Sequence, residues 1–127
     1  MQLTIAIIDD DDEDVLILKQ ALAELIVSAR ALAWYDPVEA INSLTATHCT
    51  SIPSHIFVDF NMPVLNGKDC VRALRGDIRY NDNVITVVSS ALTAQDTHEF
   101  ESLGANYVFQ KPSRWRDYVS ILMKVFK

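Results

Sequence analysis

The strongest constraint on the fold of this chain is a regular alternation between short apolar runs and longer stretches with helical periodicity. The apolar runs are 3–8, 31–35, 56–58, 84–88 and 107–110. The helical patterns that follow them are 15–30, 38–44, 70–74, 94–103 and 115–125. Apolar strands that alternate with helices are typical of a parallel sheet covered on both faces. The pattern therefore predicts an α/β fold in which a βα unit occurs five times.

Right-handed crossovers would wind these units into a doubly wound three-layer sandwich with a five-stranded parallel sheet, the flavodoxin-like arrangement. The chain has 127 residues, with no repeat and no Pro/Gly/Ser linker, so we expect one domain over residues 1–127. Ligands of such sheets bind beyond the carboxyl ends of the strands. The residues directly after each strand are therefore the candidates for function.

Composition and charge exclude several classes of protein. The formal net charge is −6, which argues against nucleic-acid binding because that needs a basic surface. No apolar run is long enough to cross a bilayer, and residues 1–8 lack the basic flank of a signal peptide. Cys49 and Cys70 form no C-x-x-C pattern, so we expect two reduced thiols. The expectation is a cytoplasmic protein that binds neither nucleic acid nor membrane.

Charged and hydroxyl side chains follow four of the five predicted strands. Asp9 and Asp10 follow the first strand, Asp59 ends the third, Ser89 ends the fourth, and Lys111 follows the fifth. Because parallel strands end at the same edge of a sheet, these side chains are expected to converge.

The acidic run 9–14 has two interpretations. Acids at a helix start are favoured by the helix dipole, by roughly 0.3–1 kcal/mol each, which accounts for residues 12–14. That interpretation explains Asp9 and Asp10 less well, since they follow a buried strand where like charges repel strongly. With Asp59 nearby, a divalent cation would relieve the repulsion, and oxygen ligands suit Mg²⁺. We therefore predict a magnesium site, with a purely helix-capping role for the acids as the alternative.

Lys111 and Ser89 also allow two interpretations each. A lysine before proline is normally a solvated loop residue, but at this edge Lys111 could pair with Asp59 or with a phosphoryl oxygen. Ser89 would ordinarily make a local turn hydrogen bond, but here it could bond an added phosphoryl oxygen.

Four segments, "IIDDDDED", "HIFVDFNMPVLNGKD", "VVSSALTAQD" and "LGANYVFQKP", resemble the receiver domains of bacterial response regulators, the CheY-like family. They occur in the family's order over nearly the whole chain. The resemblance implies that Asp59 is the phosphoacceptor and that Asp9 and Asp10 are the acidic pair that binds Mg²⁺. It also implies that the backbone carbonyl of Asn61 is a metal ligand, and that Ser89 and Lys111 contact the phosphoryl group.

Three further positions are read from the same resemblance. Gly67 matches the glycine of the loop after the acceptor strand, and the peptide bond before Pro112 is often cis in this family. Val108 departs from the pattern, because the family usually has an aromatic residue there that couples to the hydroxyl residue. Tyr107 and Phe109 flank it, and strand alternation points both to the opposite face. Either the strand register shifts by one residue, or the output of this chain uses another route.

The resemblance implies a stand-alone response regulator of a two-component phosphorelay. It would take a phosphoryl group from a sensor histidine kinase or a phosphotransfer protein and change its affinity for an unknown downstream protein, without being a dedicated enzyme. The fifth helix could also form a homodimer face. Two alternatives stay open: a receiver-fold interaction domain that works without phosphorylation, and a haloacid-dehalogenase-type phosphatase, whose pattern Asp9 and Asp11 match superficially.

Overall fold

The computed structural model describes residues 3–26 and 28–126, and these residues form one five-stranded parallel sheet. The strands are β1 (Leu3–Ile8), β2 (Ala29–Trp34), β3 (His55–Asp59), β4 (Val84–Ser89) and β5 (Tyr107–Gln110). They are ordered β2-β1-β3-β4-β5. This arrangement confirms the predicted doubly wound α/β fold. The predicted extent of the domain, 1–127, includes residues 1, 2, 27 and 127, which lie outside the described residues.

In the described residues, five α-helices cover the two faces of the sheet. They are α1 (Asp12–Leu25), α2 (Pro37–Leu44), α3 (Gly67–Arg75), α4 (Ala94–Leu103) and α5 (Tyr118–Val125). Short 3₁₀ turns at 78–80 and 115–117 precede β4 and α5. No helix in the described part of the chain is long and apolar enough to span a membrane.

The predicted boundary between the first helix and the second strand was wrong. The helical pattern was extended to about Arg30, but α1 ends at Leu25 and β2 already begins at Ala29. The backbone N–H of Ile26 donates to Leu22 to close the last helical turn. Ala29 then pairs with Leu3 of β1, so sheet pairing overrides the helical periodicity of the sequence.

The helix starts follow their capping signals. The Asp11 side chain accepts from the backbone N–H groups of Glu13 and Asp14 and so caps α1. Thr93 and Asp96 form a capping box at the start of α4. These caps fix where the helices begin relative to the strand ends.

Two apolar clusters fill the space on the two faces of the sheet. Ala6, Ile8, Val87 and Phe100 belong to one cluster, which α2, α3 and α4 cover. Residues of the opposite parity, Ile5 and Ile7 among them, pack with α1 and α5 in the other cluster. The alternating side chains of each strand therefore serve both helical layers, and the strand ends are left for polar groups.

Two arginines, Arg75 and Arg79, donate hydrogen bonds to backbone carbonyls of loops. The Arg75 guanidinium donates to the carbonyl oxygens of Gly104 and Asn83, at 2.9 and 2.8 Å, and to that of Tyr80. Arg79 donates to three carbonyl oxygens of the loop after α2, Thr45, Ala46 and Cys49. These side chains supply hydrogen-bond donors to loop carbonyls, which a charge pattern does not reveal.

Candidate phosphoacceptor and metal site

A lysine with little solvent exposure joins three carboxylates at the carboxyl edge of the sheet. Nζ of Lys111 lies 2.9 Å from Oδ2 of Asp9, 2.8 Å from Oδ2 of Asp14 and 2.9 Å from Oδ1 of Asp59. The side chain of Lys111 is 9 % exposed, and those of Asp9 and Asp59 are 6 % exposed. The sequence-based alternative of a solvated loop lysine is therefore wrong.

Lys111 reaches this position because β5 continues the sheet beside β4. The backbone N–H of Lys111 donates to the Ser89 carbonyl at 2.7 Å. Burial disfavours the charge of Lys111, but hydrogen bonds to Asp14, Asp59 and Asp9 outweigh this and raise the pKa of the ammonium above its ordinary value. Lys111 therefore stays a fixed positive charge at the site.

Burial has the opposite consequence for the carboxylates. It raises the pKa of Asp9 to about 6, although a hydrogen bond from the Asp11 backbone N–H and the contact with Lys111 both oppose the rise. Burial also raises the pKa of Asp59 above its ordinary value, although the hydrogen bond and the charge of Lys111 lower it. The nearby negative charges of Asp10 and Asp14 raise it further. One lysine does not fully compensate the crowded acids.

The donor set suits a small divalent cation. Asp9, Asp10 and Asp59 each offer a carboxylate oxygen, and these oxygens lie within 4.8 Å of one another. Asp9 and Asp59 are buried, whereas Asp10 is exposed to solvent. A shared set of hard oxygen donors with one open side is the arrangement in which Mg²⁺ keeps several waters. The residues predicted to form the acidic cluster are thus brought together.

Ser89 and Asn61 lie next to each other beside this cluster. Ser89 is completely buried, and its hydroxyl donates to the Ala91 carbonyl at 3.0 Å. The same oxygen accepts from the Ala91 N–H at 3.3 Å and from Nδ2 of Asn61 at 3.4 Å. The local turn bond expected for a strand-end hydroxyl is therefore present, and the metal-binding role of the Asn61 carbonyl stays a prediction.

Gly67 allows α3 to start directly against the acceptor strand. A Cβ at Gly67 would lie 2.7 Å from the Asp59 carbonyl oxygen and 2.9 Å from Cα of Phe60. The Gly67 N–H donates to the Phe60 carbonyl at 2.9 Å. Only glycine fits this approach without a backbone shift.

The strand register settles where the residues around Val108 point. Val108 pairs with Val87 in β4 and packs in the cluster covered by α2, α3 and α4. Tyr107 and Phe109 pack in the opposite cluster, with their rings stacked at 5.9 Å. The predicted alternation is confirmed, and the alternative of a register shifted by one residue is wrong.

The peptide bond before Pro112 is trans, so the cis bond expected from the resemblance is not found. Trans is the more stable form of most X–Pro bonds.

Asp14 is the functional candidate that the sequence did not reveal. It was assigned only to the first turn of α1, but its carboxylate reaches Lys111. The available signal was geometric, since α1 begins at the same edge of the sheet at which β1 and β5 end. Asp11, in contrast, caps α1, because its Oδ1 accepts from the backbone N–H groups of Glu13 and Asp14.

The fold and this site define the class of protein, and the comparisons with known proteins agree. The family model described as "Response regulator receiver domain" matches residues 5–122. The chain belongs to this family, which acts in two-component signalling, and receiver domains generally bind Mg²⁺ at an acidic pocket.

Among curated proteins, the chain is similar to Stress response regulator protein 1 of Scheffersomyces stipitis, with 29 % identity over 106 residues. The match covers 84 % of this chain but 35 % of that protein. Stress response regulator protein 1 of Candida tropicalis is 26 % identical, with 84 % and 39 % covered. The chain thus spans little more than a third of the length of these relatives.

Among solved structures, the phosphorylated cyanobacterial phytochrome response regulator RcpA has a TM-score of 0.86 at 20 % identity, with 98 % of this chain and 91 % of that chain covered. This likeness shows the fold. The response regulator RPA3017, in red light signaling of R. palustris, has a TM-score of 0.82 at 28 % identity, with the same coverage of 98 % and 91 %.

Proposed function

We propose that Asp59 accepts a phosphoryl group and that this modification controls the binding of a partner protein. The observation that carries the proposal is the setting of the Asp59 carboxylate. The carboxylate lies at the end of β3 and is almost completely buried. One of its oxygens lies 2.9 Å from Nζ of Lys111. Asp59, Asp9 and Asp10 each offer a carboxylate oxygen, and these oxygens lie within 4.8 Å of one another. Such a setting suits a carboxylate that reacts with a compact, highly charged group.

The reaction is a phosphoryl transfer between two proteins or from a small donor. A carboxylate oxygen of Asp59 forms a bond to phosphorus while the bond to the donor breaks in line, and the donor leaves with its electron pair. The product is an acyl phosphate on Asp59. Lys111, already held at the reacting carboxylate, would donate to a phosphoryl oxygen and offset its negative charge.

Asp9, Asp10, Asp59 and the backbone carbonyl of Asn61 are the residues that would hold Mg²⁺. When bound, the cation neutralises charge on the phosphoryl oxygens. The Asp9 carboxylate is already oriented, because Lys111 and the Asp11 N–H both donate hydrogen bonds to it.

Ser89 connects the modified site to the loop before α4. Its hydroxyl now donates to Ala91. To donate to a phosphoryl oxygen on Asp59 it must leave that partner, which frees the turn at residues 89–91. The bond formed is charge-assisted and stronger than the bond lost. The loop leading to α4 would therefore move on phosphorylation, which changes the surface that partners bind.

The partners follow from the same chemistry. The donor would be a sensor histidine kinase or a phosphotransfer protein, and the receiver of the signal a downstream protein that distinguishes the two states of the surface. The proposed compartment is the cytoplasm, where the free thiols of Cys49 and Cys70 stay reduced.

Acetyl phosphate with Mg²⁺ tests the proposal by intact-protein mass spectrometry. The wild type should gain the mass of one phosphoryl group, and Asp59→Asn should gain none. Asp12→Asn is the matched control, since Asp12 is an exposed first-turn acid of α1 outside the site, and it should react like the wild type.

Mass addition that persists in Asp59→Asn would contradict the proposal. Partner binding that is the same for wild type, Asp59→Asn and the phosphorylated protein would instead favour the receiver-fold interaction domain that works without phosphorylation.

A further inference from the structure

Two aromatic rings connect the acceptor strand to α4. Phe60 follows Asp59 directly, and its ring meets the ring of Phe100 edge to face, with centroids 5.0 Å apart at 88°. Phe100 is fully buried and is the buried residue of α4, a helix whose residues the structure describes throughout. The position of α4 on the domain therefore depends strongly on what Phe100 contacts.

Lys68 contacts both rings and also two carboxylates of α4, those of Asp96 and Glu99. Its Nζ lies 5.1 Å from the ring centroid of Phe60 and 5.8 Å from that of Phe100. The same ammonium donates to Oδ1 of Asp96 at 3.3 Å and to the Glu99 carboxylate. The side chain of Lys68 is 20 % exposed, so these contacts are partly shielded from solvent.

The backbone at the start of α3 packs tightly against the backbone of Asp59 and Phe60. The Gly67 N–H donates to the Phe60 carbonyl, and Gly67 approaches the Asp59 carbonyl too closely for any side chain. Lys68 is the next residue after Gly67 and lies in the first turn of α3. A displacement of the backbone at Asp59 and Phe60 must therefore move both the ring of Phe60 and the side chain of Lys68.

The aromatic position expected on β5 cannot carry a signal of this kind, because Val108 occupies it. Val108 packs in the same apolar cluster as Phe100, whereas the neighbouring rings of Tyr107 and Phe109 lie in the opposite cluster. On the face of the sheet that α4 covers, the rings next to the acceptor are those of Phe60 and Phe100.

We propose that Lys68, together with the ring pair of Phe60 and Phe100, positions α4 according to the state of Asp59, in place of an aromatic residue at position 108. The inference rests on the proposed phosphorylation of Asp59. Lys68 is a positioning residue, since it acts through Phe60 and through the carboxylates of α4. A lysine that merely tied α3 to α4 would hold α4 equally in both states of Asp59.

Beryllofluoride with Mg²⁺, an analogue of the phosphoryl group, tests the inference with two separate measurements. ¹⁹F NMR reports whether the analogue binds, and hydrogen exchange of residues 94–103 reports whether α4 responds. The wild type should show bound fluoride signals and a several-fold change in exchange along α4.

The variant Lys68→Met keeps the aliphatic stem and removes the charge. This variant should bind the analogue but lose most of the change in hydrogen exchange along α4. Lys68→Arg, which keeps the charge, should show the wild-type change. The matched control is Arg72→Met, one turn later on α3, where the side chain is 62 % exposed and pairs with Asp69 on its own helix. It should respond like the wild type.

Each outcome decides between the two proposals. A wild-type response in Lys68→Met, or an equal loss in Arg72→Met, overturns the role of Lys68. Bound fluoride without any response of α4 in the wild type overturns this inference alone. No bound fluoride in a wild type that also gains no phosphoryl mass overturns the proposed function, and this inference with it. Melting temperatures of the variants show whether a lost response reflects unfolding.

Discussion

Nζ of Lys111 and Oδ1 of Asp59 lie 2.9 Å apart between two side chains that are almost completely buried. Since Lys111 also contacts Asp9 and Asp14, one cation offsets three acids. Removing one partner of a buried ion pair leaves an uncompensated charge, which costs far more than a surface pair contributes. The stability of the metal-free protein should therefore depend on this lysine.

We expect Lys111→Met to lower the free energy of unfolding by about 3 kcal/mol in the absence of divalent cations. Added Mg²⁺ should restore part of the loss, because it supplies positive charge to the same carboxylates. Urea denaturation with and without Mg²⁺ measures both effects. Lys124→Met is the control, since Lys124 is an exposed lysine of α5 that covers Phe109. Equal losses in the two variants would count against a special role for the buried cation.

Asp14 should raise the pKa of Asp59, although Asp14 itself is not predicted to bind the metal. Its charge is one of the contributions that raise the pKa of Asp59, and it also occupies a hydrogen bond of Lys111. We expect Asp14→Asn to lower the pKa of Asp59 and to cost less than about 1 kcal/mol of stability, because Asp14 is more exposed than Asp9. NMR titration of the Asp59 carboxyl carbon checks this, and an unchanged or higher pKa would refute it.

The raised pKa of Asp9 predicts how stability changes with pH in the metal-free protein. The folded state binds the proton more tightly than the unfolded state, so Asp9 contributes stability below about pH 4 that is lost as pH rises through about 6. Burial raises the pKa of Asp59 too, which adds a change of the same sign. At about 1.4 kcal/mol per pKa unit, Asp9 accounts for up to about 3 kcal/mol.

The comparison with Asp9→Asn isolates this contribution from other titrating groups. Asparagine resembles the protonated acid, so the variant should be more stable than the wild type at pH 7 and lose that advantage toward pH 4. Denaturation at a series of pH values without divalent cations gives both curves. A stability difference that does not vary with pH would show that Asp9 titrates normally.

The sequence predicted the strand ends well because periodicity and sheet geometry are local rules. Asp9, Asp10, Asp59 and Lys111 were expected at one edge, and the structure brings them together. The order of short apolar runs was enough for this, since parallel strands end on the same side.

The residues that the sequence missed depend on where a side chain reaches in three dimensions. Asp14 lies within an acidic run that helix capping already explains, so its contact with Lys111 required the angle at which α1 leaves the sheet. Charged side chains are usually exposed, but Arg75 donates to the carbonyl of Gly104, 29 residues further along the chain. Such partners are set by loop geometry, which a single sequence does not encode locally.

The close approach of Gly67 to the acceptor strand gives the last prediction. In Gly67→Ala the new Cβ would meet backbone atoms of Asp59 and Phe60 at 2.7 and 2.9 Å, and neither can move without shifting β3 or α3. We expect a loss of about 1–3 kcal/mol in unfolding free energy. Phosphorylation of Asp59 by acetyl phosphate should also slow, because the acceptor is displaced from Lys111.

Gly76→Ala is the matched control, since its Cβ would lie 3.4 Å from the Arg72 carbonyl oxygen and needs only a slight adjustment. If both alanine variants unfolded at the same urea concentration and reacted at the same rate, the tight contact between α3 and the acceptor strand would not matter for either property.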